Sequence, residues 1–90
     1  MREPFLWTAL EDAAFDGEPG WNTVWLDGMT RAELRAGIAF DAPGLVLRPG
    51  GDGSVFVEDA AGWPTLGAGQ LAHGGATLRF TGLLRLAFLA

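Results

Sequence analysis

Ser54 and His73 are the only serine and the only histidine in this chain, and cysteine and lysine are absent. Nucleophilic catalysis on serine needs a base within hydrogen-bond reach and a third group that orients the base. Ser54 follows a turn at a strand start and His73 lies in a glycine-rich stretch, with nothing in the spacing to bring them together. His73 therefore reads as a solvated loop residue. One histidine without cysteine also falls short of a zinc site. The neighbouring acids Glu11 and Asp12, or Glu58 and Asp59, do not face each other across a bond as paired glycosidase carboxylates must. They read as a solvated helix face and a turn.

Two glycine-rich stretches invite a phosphate or metal reading. Gly67, Gly69 and Ala72 match the spacing G-x-G-x-x-A, but that fingerprint needs a strand before it and a helix after it. Pro64 spoils the strand and the pair Gly74 and Gly75 spoils the helix. Between Gly50 and Ser54 a P-loop would need a lysine, and a calcium-binding repeat would need an acid where Val55 stands. That stretch reads as a hairpin turn. No catalytic, cofactor-binding or metal-binding residue is assigned, no cofactor is expected, and the chain is not expected to be an enzyme.

The tryptophans are the remaining candidates for a ligand. Trp21 and Trp25 fall on one face of one predicted strand, about 13 Å apart at the usual rise. Spaced indoles on a sheet face stack sugar rings, which gives an alternative function as a small carbohydrate- or receptor-binding module. Aromatic side chains more commonly fill small cores and interfaces, and that reading is preferred.

Charge narrows the partners. Eleven carboxylates stand against six arginines, for a net charge of −5. The arginines are scattered, so the clustered cations that phosphate backbones require are missing and nucleic acid is not an expected partner. An acidic inhibitor of a basic enzyme is a third, weaker possibility. No stretch reaches the roughly eighteen apolar residues of a membrane span, and no signal peptide is recognisable at the start. The expectation is a chain that stays in the cytoplasm or travels within an exported assembly, with no membrane contact.

The elements that must position these residues follow from pattern. Apolar residues at helical spacing predict a helix over 4–15, and β-branched and aromatic content predicts a strand over 21–27. Thr30 and Glu33 form a capping-box pattern opening a short helix over 30–36. Strands follow over 38–41, 45–48 and 54–58, the last two as a hairpin. Their weak alternation suggests burial on both faces. Trp63 to Leu66 is at most an edge segment because Pro64 cannot donate to a ladder, and 67–75 reads as a flexible loop. The whole of 1–90 reads as one domain: a β-dominated α+β fold, a small antiparallel sandwich or open barrel with one or two short helices.

The last predicted element is a long strand over 76–89. Ala76, Leu78, Phe80, Gly82, Leu84, Leu86 and Phe88 occupy every second position. A helix over 83–90 is the competing reading, and the unbroken alternation favours the strand. The thirteen residues from Ala76 to Phe88 alone extend roughly 43 Å, more than the diameter of about 31 Å expected of so small a domain. Such a strand must bend, split at Gly82 or leave the domain. The odd face beyond Gly82 is too apolar for water, so the expected function is a structural or assembly module that joins copies of itself or a larger complex, as virion, tail, fibre and adaptor subunits do. The expected interface residues are Leu83, Arg85, Ala87 and Leu89, with Trp63 near an exposed edge.

Overall fold

The computed structural model describes residues 4–89, so the outermost residues of the domain expected over 1–90 lie outside it. Among the described residues nine strands and one helix follow in chain order: β1 Phe5–Trp7, β2 Ala13–Asp16, β3 Thr23–Asp27, α1 Arg31–Gly37, β4 Ile38–Phe40, β5 Val46–Pro49, β6 Val55–Glu58, β7 Gly67–His73, β8 Ala76–Leu83 and β9 Arg85–Leu89. They form a five-stranded sheet ordered β1-β3-β9-β6-β5 and a four-stranded sheet ordered β2-β8-β7-β4. One core lies between them. Val24, Leu26, Val55, Val57 and Leu86 reach it from the first sheet, and Phe15, Leu71, Leu78 and Phe80 from the second. The β-dominated α+β class read from the sequence holds. Both sheets are mixed rather than purely antiparallel, because β1-β3, β3-β9 and β2-β8 run parallel.

The predicted helix over 4–15 is two short strands in different sheets. Its apolar spacing also satisfies a period of two within each strand, with Trp7 and Phe15 buried. Helical continuity is broken at Ala9, whose φ of 62° is left-handed. Ladder partners on β3 and β8 decide the outcome, and Trp7 Nε1 donates to the Glu11 carbonyl at 2.9 Å across the turn. The second helix forms as expected. Thr30 caps it, Glu33 N donates to Thr30 Oγ1, Thr30 N donates to Glu33 Oε1, and Leu34 docks it on the core.

The glycine-rich loop expected over 67–75 is instead strand β7 and a tight hairpin into β8. Gly67, Gly69 and Leu71 alternate inward, and Gly74 and Gly75 carry φ of 61° and 88°, which a two-residue hairpin turn of type I′ requires. The segments 38–41, 45–48 and 54–58 form close to their predicted bounds. They are not buried on both faces, since Val46 and Ala39 are exposed while Val55 and Val57 are buried.

The long final strand divides, as its length demanded in a molecule whose largest extent is 34 Å. β8 belongs to one sheet and β9 to the other. Phe80, Leu83 and Leu86 all point into the core, so the chain takes two successive three-residue steps. Two odd steps restore the parity, which is why the alternation looked continuous through Gly82. The segment from β2 to β3 makes the same crossing alongside, parallel to it. Gly17 and Gly82 meet where the two segments cross: a Cβ on Gly17 would lie 2.1 Å from the Gly82 carbonyl oxygen. Gly17 N donates to the Thr81 carbonyl at 2.8 Å, and Asn22 Nδ2 donates to the Gly82 carbonyl at 3.1 Å.

Candidate functional site

The crossing sets β9 in the middle of the five-stranded sheet, between β3 and β6. Strand alternation then sends Leu86 and Phe88 inward and Arg85, Ala87 and Leu89 to the outer face. Register places Leu6, Trp25 and Ala87 in one row, Asp27 beside Leu89 in the next, and Thr23, Arg85, Phe56 and Arg48 in the row on the other side. The result is an apolar corner and a polar centre on one surface.

At the centre, Arg85 is held from several directions. Its Nη2 donates to Asp52 Oδ2 at 2.8 Å and its Nε donates to Ser54 Oγ at 3.1 Å. The guanidinium carbon lies 5.9 Å from the ring centroids of both Trp25 and Phe56, within cation–π range. Ser54 is buried, and both its amide and its hydroxyl donate to Asp52 Oδ1. Those two bonds and then Arg85 pull the Asp52 carboxyl down to about 2. Held by these bonds, Asp52 anchors the turn before β6. His73 lies in the other sheet with its Nε2 3.5 Å from Glu33 Oε2, a half-buried partner of the helix rather than a solvated loop residue. Among the described residues no group of three His, Asp or Glu side chains is placed to hold a metal ion.

The apolar corner is a shallow groove of about 570 Å³ lined by Pro4, Leu6, Trp25 and Leu89. Leu6 and Leu89 keep 47% and 43% of their surface exposed on either side of Trp25. The outer face of the other sheet has a different character. Ala14, Asp16, Gln70, Ala72, Thr77, Arg79 and Thr81 stand there, with Thr81 Oγ1 donating to Asp16 Oδ1 and Arg79 Nη1 donating to Gln70 Oε1.

Of the interface residues read from the sequence, Leu89 stands exposed on the outer face and Arg85 is committed to Asp52. Leu83 is fully buried, because the step at Gly82 turns this odd-numbered side chain into the core. Ala87 faces outward but is 3% exposed, its methyl being too short to rise past Trp25 beside it. Trp63 is exposed in the link between β6 and β7, next to the bridge from Pro64 to Glu58. Since β6 runs antiparallel to β9 with Val55 opposite Leu86, Trp63 and Leu89 lie toward opposite ends of the sheet.

Trp21 and Trp25 do not form a paired platform. Trp21 precedes β3, and its ring packs 5.0 Å from Phe15 and 6.2 Å from Phe5, while Trp25 faces outward. Both border a depression of about 200 Å³ with Asn22 and Arg85. Sequence reasoning missed Leu6, Phe56, Asp27 and Asp52. The outward position of Phe56 was available from the alternation Val55, Phe56, Val57, and Asp52 from its place two residues before Ser54 in a turn. Leu6 was hidden by the helical reading of its segment.

The fold and this face define a small two-sheet β domain with one asymmetric, partly apolar outer surface. No family model matches the chain, and no curated protein or solved structure matches it.

Proposed function

We propose that this chain is a non-enzymatic docking module that joins a larger protein assembly through the outer face of its five-stranded sheet. The supporting observation is the contrast between the two outer faces. A sheet face turned to water carries polar residues at its outward positions, as the four-stranded sheet does with Asp16, Gln70, Arg79 and Thr81. The five-stranded sheet instead exposes Leu6 and Leu89 around Trp25. Contiguous exposed apolar surface marks contact sites, and covering it gains about 25 cal/mol per Å².

The sheet edges fit this role less well. Edge strands β1, β2, β4 and β5 have only three or four residues each, and short edges resist strand addition. A partner therefore meets a face rather than extending a ladder. Photo-crosslinking in the native host tests the reading, with the reactive residue placed at position 6, 89 or 77. Discrete crosslinked products from 6 and 89, and none from 77 on the polar face, are expected. Products from 77 alone, or from none of the three, would overturn it.

A further inference from the structure

The docking reading leaves open what fills the groove, and the charges around it give an answer. Asp27 sits opposite Leu89 and two residues from Trp25 on the outward side of β3. Neighbouring strands lie about 5 Å apart, so an exposed carboxylate stands beside Leu89 at the edge of the groove. The arginines of this face are already engaged, Arg85 with Asp52 at 2.8 Å and Arg48 with Glu58 at 3.6 Å. Asp27 is the charge on this face without a counter-charge among the described residues.

We infer that the groove lined by Pro4, Leu6, Trp25 and Leu89 receives an apolar segment of a different protein that carries arginine or lysine beside its apolar anchors. This rests on the docking reading above and adds the chemistry of the partner. A second copy of the chain meets the requirement less well. Leu10 precedes Glu11 and Asp12, Trp63 and Leu66 lie in the link that follows Glu58 and Asp59, and Val46, although Arg35 stands beside it, lies opposite Glu58. Docking two copies also sets two chains of net charge −5 against each other. Like charges set against each other across an interface oppose association.

The test uses the full chain and two short synthetic peptides that share leucine and phenylalanine anchors, one flanked by arginines and the other by glutamates. Binding is followed by anisotropy of a dye on the peptide. The arginine peptide is expected to bind about fivefold tighter or more, as several exposed ion pairs allow. Its advantage disappears at about 1 M salt, where the screening length falls to about 3 Å. Asp27→Arg reverses the preference, and Leu89→Asp weakens both peptides. Equal binding of the two peptides, or a preference unchanged in Asp27→Arg, overturns the inference. So does a homodimer in sedimentation that Leu89→Asp dissociates, an outcome that leaves the docking reading intact. If crosslinks form at positions 6 and 89 while the arginine peptide does not bind, the inference alone fails; if neither occurs, both fail.

Discussion

Replacing Gly17 by alanine attacks the point on which the outer face depends. The added Cβ would lie 2.1 Å from the Gly82 carbonyl oxygen, a backbone atom, whereas real Cβ contacts essentially never fall under 3.0 Å. The two crossing segments must therefore part by about 1 Å, and overpacking of this kind costs about 1–3 kcal/mol. Parting them also strains the bond from Gly17 N to the Thr81 carbonyl, whose loss adds about 1 kcal/mol. A total of about 2–4 kcal/mol is a large share of the stability of about 5–13 kcal/mol usual for a chain this size. Thermal melting should fall by about 10–25 °C. Gly20→Ala is the comparison: its φ of 79° is left-handed but open space surrounds the new methyl, so it costs only about 1–2 kcal/mol. If Gly17→Ala melts no lower than Gly20→Ala, the tight crossing is wrong, and with it the position of β9 in the centre of the sheet.

Truncation separates the two leucines that the sequence grouped together: Leu83→Ala should cost about 2–5 kcal/mol as a core deletion, while Leu89→Ala should change stability by less than about 1 kcal/mol. Equal losses in urea melts would contradict the assignment of Leu83 to the core. Asp52 is held near 2, below its usual 3.8, so its stabilising contribution is complete above about pH 4 and is lost as the pH falls toward 2. Asp52→Asn should flatten that part of the acid-unfolding curve, and superimposable curves for the two proteins would exclude the anchor. Thr30→Ala removes the helix cap and should cost about 1 kcal/mol, with faster amide exchange in α1 as the local sign. Unchanged exchange there would show that docking of Leu34 holds the helix without its cap.

Legibility followed the range over which each signal acts. The capping box at Thr30 and Glu33 and the hairpin of β5 and β6 rest on residues close in sequence, and both were readable. The segment holding Phe5, Leu6, Ala13 and Phe15 was not, because its apolar spacing fits either period and ladder partners some twenty to sixty-five residues away decide between them. Over 67–73 glycine content outweighed an inward alternation that the β4 and β8 ladders stabilise. The final strand was the most instructive: its length showed that it must bend or divide, yet the doubled step through Leu83 left the parity unchanged. The outward side chains of β9 were thus legible, and the neighbours that turn Arg85 into an anchor were not. Those neighbours, Trp25, Phe56 and Asp52, come from other strands and turns.

The docking claim is tested most directly by Leu89→Asp carried together with a photo-reactive residue at position 6. The variant should keep the melting temperature of the parent within a few degrees, because Leu89 is a surface residue, and it should lose the crosslinked product formed from position 6. A variant that unfolds would show that Leu89 serves the core. A folded variant that still crosslinks as strongly as the parent would show that the partner does not sit on this face.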